Sequence, residues 1–143
     1  MKEIEIDGKK YPIKCTAYTR FEYKKIFGTG IFEDIGKLNK FKTEIAEEKT
    51  RLLTGGKNEE DADKIAQEKM MEKLDDFIDV LQKIAYIEIL TANREIGTFE
   101  KWLSGIETIS LADPWISEVT EYAVDSFCGS GARAGTEETA ARE

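Results

Sequence analysis

Leu74-Asp75-Asp76-Phe77-Ile78-Asp79-Val80-Leu81-Gln82-Lys83-Ile84-Ala85-Tyr86-Ile87-Glu88-Ile89-Leu90 is the densest apolar run in the chain. Leu74, Phe77, Ile78, Leu81, Ile84 and Ala85 recur at three- and four-residue spacing, which sets them on one helical face. From Val80 a second apolar face fills in through Ile84 and Ile87, and by Ile89 and Leu90 little polar surface is left. A helix that is amphipathic at its start and apolar nearly all round at its end runs from the surface into a core. The stretch free of Gly and Pro reaches back to Glu59, with Asn58 as N-cap and Glu59, Glu60 and Asp61 where the helix dipole favours negative charge. A break near Met70 divides that stretch and leaves 74–90 as the helix proper. The apolar heptads are too short-lived for a coiled coil.

Working outward, residues 3–14 read as a β-hairpin. Ile4 and Ile6 alternate with Glu3 and Glu5, Tyr11 and Ile13 alternate with Lys10 and Lys14, and Asp7-Gly8 between them supplies the turn. Pro12 has no N–H, so its strand belongs at an edge. Thr16 caps a helix over 17–27 that Gly28 stops. A second short helix is expected over 31–38 and a polar helical segment over 41–53, before a loop over 54–58. Thr98 caps a short helix over 99–104 carrying Phe99, Trp102 and Leu103. Asp113-Pro114 opens a last helix over 115–127, with Trp115, Val119, Tyr122 and Ala123 on one face. One clear strand pair followed only by helical periodicity predicts an α+β fold, mostly α: an N-terminal two-stranded β-hairpin packed on a helical body. The chain has 143 residues, which suits a single domain over 1–128. Residues 129–143 have no apolar anchor and read as a disordered tail.

Composition excludes more than it selects. The formal net charge is −8 and no basic block appears, so neither nucleic acid nor an anionic membrane is an expected partner. No run is long enough to cross a bilayer. No apolar signal region follows Met1, which points to a cytoplasm and to reduced, mostly buried Cys15 and Cys128. There is no His, which removes the commonest general base and most zinc arrangements. Asp75 and Asp79 share a helix face, as a metal site would want, but beside Lys73 and Lys83 they read as a solvated acidic face. Gly28-Thr29-Gly30 lacks the rest of a phosphate loop. No catalytic, cofactor or metal site is expected, and the chain is read as a binding protein rather than an enzyme.

The order of these pieces resembles a known family. The hairpin Ile4-Glu5-Ile6-Asp7-Gly8-Lys9-Lys10-Tyr11-Pro12-Ile13-Lys14 is followed by a helix ending Ile26-Phe27-Gly28, then a charged middle, an apolar helix and Thr98-Phe99-Glu100-Lys101-Trp102-Leu103. This layout resembles the tail assembly chaperones of long-tailed bacteriophages and prophages of Gram-positive bacteria. The resemblance covers about 4–127, and 39–70 matches nothing in it. It implies a small acidic helical protein of the host bacterial cytoplasm that binds the tape-measure protein, keeps it soluble, recruits tail-tube subunits and is not retained in the mature virion. Homo-oligomers, and a longer product made by frameshifting near 129–143, are compatible with it. Trp102, Leu103, Trp115 and Ile116 are the candidate partner-binding residues, because Trp is enriched at interface hot spots. The alternative is a small acidic helical adaptor or anti-repressor of a mobile element, which requires one continuous acidic face.

Overall fold

A computed structural model describes residues 2–110 and 112–128. Two strands, β1 (Lys2–Ile6) and β2 (Lys9–Ile13), precede six helices: α1 (Ala17–Phe27), α2 (Ile31–Thr54), α3 (Glu59–Glu72), α4 (Leu74–Ala92), α5 (Phe99–Ser104) and α6 (Trp115–Cys128). The fold is α+β and mostly helical, with one antiparallel hairpin. The chain divides into two compact units. One is built from the described parts of Met1–Gly30 and Leu81–Glu143, the other from Ile31–Val80. The expected tail over 129–143 lies outside the described residues.

The first unit is organised by the hairpin and the second half of α4. Asp7 and Gly8 both take positive φ, 54° and 77°, as the mirror-image turn that matches strand twist demands. The resulting register pairs Ile4 with Tyr11 and Ile6 with Lys9, and it buries Ile4, Ile6, Tyr11 and Ile13. β1 packs against α6, and the Lys14 amide donates to the Glu88 carbonyl of α4. Every residue from 84 to 90 is buried, as the all-round apolar pattern requires. Thr16 caps α1 by accepting from the Tyr18 amide at 3.2 Å, while its own amide donates to Thr19 Oγ1 at 2.9 Å. Gly28, at φ 81°, closes the helix with its amide on the Lys24 carbonyl.

The second unit differs from expectation in two places. α2 is one helix from Ile31 to Thr54, not two segments divided at 39–40. Asn39 and Lys40 are polar but neither breaks a helix, so the change in polarity marked a change in burial, not an end. The break expected near Met70 falls at Lys73, whose backbone leaves helical geometry at φ −117° and ψ 12°. α3 packs on α2 and buries only Ala62 and Ala66, small enough for close approach of the two helices. Ion pairs Lys49–Asp63 at 2.7 Å and Lys73–Glu44 at 3.2 Å are exposed and screened by water, so they add little to stability.

Leu81 is 1% exposed on the buried side of α4. Leu81→Ala is expected to cost about 2–5 kcal/mol, read from urea unfolding midpoints. A loss below about 0.5 kcal/mol, typical of surface positions, contradicts the burial of this face.

Candidate functional site

The four residues expected to meet a partner do not form an exposed patch. Trp115 is 1% exposed, Trp102 and Ile116 are buried, and Leu103 is half-buried. Trp102 sits in an aromatic cluster that explains its burial. Its ring lies 6.2 Å from Tyr11 of the hairpin and 5.7 Å from Tyr86 of α4, while Phe99 lies 5.0 Å from Phe27 and 5.4 Å from Tyr86. Edge-to-face and tilted pairs at these separations add to the area they bury. The Thr-Phe-Glu-Lys-Trp-Leu segment therefore joins hairpin, α1 and α4. Thr98 starts it by capping the Lys101 amide, and the Tyr86 hydroxyl holds the Gly97 carbonyl just before it.

Exposed apolar surface lies elsewhere. Three large side chains on α1 are exposed: Tyr18 at 48%, Phe21 at 57% and Ile26 at 44%. Tyr18 and Phe21 touch, with ring centroids 5.5 Å apart. Helical geometry sets Lys24 and Lys25 one turn beyond Phe21, with Arg20 farther round the exposed side, while Ile26 follows Thr19, Glu22 and Tyr23 at the end of the stripe that packs inward. None of the three cations has an ion-pair partner among the described residues, whereas Glu22 is buried and held by Arg94 through two contacts of 2.7 and 2.6 Å. In a chain of net charge −8, this helix presents a basic, aromatic face. The sequence marked it only as an excess of aromatics over what one buried stripe requires.

The second unit carries a cleft of about 280 Å³. Leu38, Phe41, Phe77 and Val80 form its apolar lining, with the Phe41 and Phe77 rings 5.0 Å apart. Lys37, Lys40 and Lys73 stand around it with Glu44 and Asp76. Lys73 pairs with Glu44, and Lys37 with Glu33 and Asp34 at 4.0 and 3.7 Å. Lys40 has no ion-pair partner among the described residues.

The polar groups inside the first unit are mostly accounted for. Thr91 Oγ1 donates to the Ile87 carbonyl at 2.8 Å, so it accepts from Thr19 Oγ1 at 2.9 Å, and Thr19 in turn accepts from the Thr16 amide. Among the described residues Trp102 Nε1, Trp115 Nε1, Thr120 Oγ1 and Glu88 Oε1 have no hydrogen-bond partner, and of these Glu88 is the one titratable group. Its carboxyl is fully enclosed on α4, Cys15 Sγ lies 3.9 Å from Oε2, and Oε1 has no hydrogen-bond partner. Burial raises its pKa well above the usual 4.5, against a smaller opposing effect of the Cys15 contact. Burial, with the nearby carboxyl, pushes the Cys15 thiol up to about 12, and Ser126 of α6 bonds it. Tyr122 of α6 is raised too, chiefly by burial. Burial thus favours the uncharged forms of both side chains, and a thiol held this far up carries almost no nucleophilic thiolate near pH 7. Sequence patterning treated Glu88 as one polar position in an apolar helix and passed over it. Cys15 and Cys128 are both free, but Cys128 is exposed at the end of α6, not buried as expected.

Asp75, Asp76 and Asp79 are all exposed on α4, and among the described residues no group of three or more Cys, Asp or Glu is placed to hold a metal ion. No helix among them is long and apolar enough to cross a membrane. Comparison with family models, curated protein sequences and solved structures finds no match to this chain.

Two outcomes follow from this geometry. Trp102→Ala and Trp115→Ala should each cost about 3–5 kcal/mol of folding stability, measured by denaturant unfolding, because both leave cavities. Retention of wild-type stability by either contradicts its place in the core. Glu88 holds a proton in the folded chain that the unfolded chain releases. Its contribution is therefore complete below about pH 4.5 and is lost as pH rises towards the raised folded value. Wild-type stability should fall with a slope of up to about 1.4 kcal/mol per pH unit from this group, and Glu88→Gln should remove that slope. Identical pH profiles for the two proteins, from unfolding midpoints between pH 5 and pH 8, contradict it.

Proposed function

We propose that the protein is a tail assembly chaperone of a bacteriophage or prophage. In this reading it acts by binding rather than by catalysis, in the host bacterial cytoplasm. It holds amphipathic helices of the tape-measure protein in solution, recruits tail-tube subunits to them, and leaves before the virion is complete. The observation that carries the reading is the outward face of α1, where Tyr18 and Phe21 stand exposed beside Lys24 and Lys25. An exposed pair of touching aromatic rings on a helix is an unfilled apolar surface, and apolar helix faces are what such a surface accepts. The neighbouring cations favour a partner helix bearing carboxylates beside its apolar stripe, and they keep the aromatic face hydrated when it is empty. The order of hairpin, α1, charged middle, apolar α4 and the Thr98–Leu103 segment supports the same family resemblance.

On this reading the binding residues move from Trp102, Leu103, Trp115 and Ile116 to α1. The doubly substituted Tyr18→Ser, Phe21→Ser protein should keep its stability within about 1 kcal/mol, since both side chains are about half exposed or more. Its complex with the tape-measure protein should weaken by about 2 kcal/mol or more, roughly thirty-fold in affinity. The check is co-expression followed by titration calorimetry of the purified pair. Unchanged affinity in the folded variant removes α1 from the interface. A tape-measure protein that stays soluble without this chain overturns the chaperone reading.

A further inference from the structure

The buried carboxyl of Glu88 lies under a thinly anchored part of the fold. Cys15 Sγ is 3.9 Å from Oε2, Ser126 bonds the Cys15 thiol, and the Tyr122 hydroxyl meets both the Cys15 backbone and Ser126. Three elements thus converge on one carboxyl: α4, which carries it, the connection from β2 to α1, and the end of α6. They are not equally firm. Residues 84–90 of α4 are buried throughout. The connection is held by the Lys14 amide on the Glu88 carbonyl and by the cap at Thr16. α6 is anchored at its start, where Trp115, Ile116, Val119 and Thr120 are buried, but beyond Thr120 its one buried residue is Ala123. Tyr122 is half-buried and Ser126 exposed. A helix end with this little burial opens at a lower free energy than the core on which it lies.

The charge state of Glu88 sets how well this cover fits. With its proton, the carboxyl is an uncharged group whose burial leaves one hydrogen bond unmade, at Oε1. Without it, two anionic oxygens face a single thiol donor. Among the described residues the titratable groups that interact with this carboxyl are Cys15 and Tyr122, and no Lys or Arg acts on it. Lys14 reaches α4 through its backbone amide, and its side chain is exposed. A buried anion without a counter-ion is costly until water reaches it. The shortest way in for water is the cover itself, where Cys15 and Tyr122 are half-buried and Ser126 is exposed. Burial pushes Cys15 up to about 12 and raises Tyr122 above its usual 10, so below about pH 9 Glu88 is the group of the three that changes charge.

We propose that residues 121–128 of α6 are a proton-gated latch, closed over Glu88 while its carboxyl is protonated and released from Cys15 when the proton leaves, with the hairpin, α4 and the start of α6 still folded. Burial raises the Glu88 pKa well above 4.5. The latch is therefore fully closed below the ordinary carboxyl range and opens as pH rises through the raised folded value. This gives the pH response of Glu88 a location in the fold, and it does not rest on the identity of any partner.

The test is amide hydrogen exchange of the full chain from about pH 5 to pH 9, corrected for intrinsic rates and read by mass spectrometry over 121–128 and 84–90. In the wild-type protein, protection of 121–128 should fall by about tenfold per pH unit, the limit set by one proton, until exchange nears the intrinsic rate. Residues 84–90 should stay at least about tenfold more protected than 121–128 at every pH. Glu88→Gln, uncharged throughout, should keep 121–128 protected to pH 9. The Glu88 carboxyl carbon of the wild-type protein, followed by carbon-13 NMR, should titrate over the range in which 121–128 lose protection, and this measurement decides the matter if the Gln variant does not fold. Residues 121–128 that stay protected after the carboxyl has titrated overturn the proposal, as does a carboxyl that stays protonated to pH 9. The same loss of protection in a folded Glu88→Gln protein overturns it. Equal protection of 121–128 and 84–90 at each pH overturns it too, because the unit then opens as a whole and no latch exists.

Discussion

The first unit depends on the complete enclosure of residues 84–90 of α4. A helix with one buried stripe needs one neighbour, whereas a helix buried on every side needs neighbours all round. The hairpin reaches α4 through Lys14, α1 through Thr19, and the aromatic rings of α1 and α5 through Tyr86. Enclosure also explains the buried carboxyl among the unpartnered polar groups of the interior. Glu88 lies on the enclosed second half of α4, so burial favours its uncharged form and one of its oxygens remains without a partner. The cost of that burial is borne by the surrounding apolar contacts, and it makes the unit sensitive to alkali rather than to acid at this position.

Enclosing one helix on all sides consumes apolar side chains. Trp102, Trp115, Phe99 and Tyr86 are taken up by it, and a partner cannot reach the two Trp rings without opening the fold. What remains for binding is whatever the core leaves outside. On α1 that is two touching aromatic rings beside unpaired cations. In the second unit it is a small cleft with Leu38, Phe41, Phe77 and Val80 in its lining, where three lysines stand with Glu44 and Asp76. The α1 surface combines apolar rings with positive charge, on a chain that is otherwise acidic. Under the proposed reading this pairing selects acidic amphipathic helices and repels other copies of the same surface.

Local chemistry was readable in the sequence wherever one residue decides the outcome. Asp7-Gly8 forms the expected turn, and Thr16, Asn58 and Thr98 all accept from the amides that a cap should hold. Boundaries that rest on a contrast between polar and apolar stretches were not readable. α2 continues through Asn39-Lys40 because nothing there forbids helix, and the end of α3 at Lys73 carries no Gly or Pro to announce it. Burial of the two Trp side chains was unreadable for a different reason. A Trp on a short amphipathic helix fits a core or an interface equally well, and only the positions of Tyr11 and Tyr86 across the fold decide for Trp102. The exposed face of α1 left a trace in the sequence as aromatics exceeding one stripe, a signal that is informative only once Tyr23 and Thr19 are known to fill the buried side.

The central claim is that α4 is the enclosed core of the first unit and that α1 is its free binding face. Amide hydrogen exchange on the full chain, alone and with a soluble helical segment of a tape-measure protein, addresses both halves at once. The result expected is exchange at the global unfolding limit for residues 84–90 in both samples, with new protection on the partner's addition confined in this unit to α1 around Tyr18, Phe21 and Ile26. Fast exchange across 84–90 in the free chain, or new protection at Trp115 and Ile116 with α1 unchanged, would contradict it.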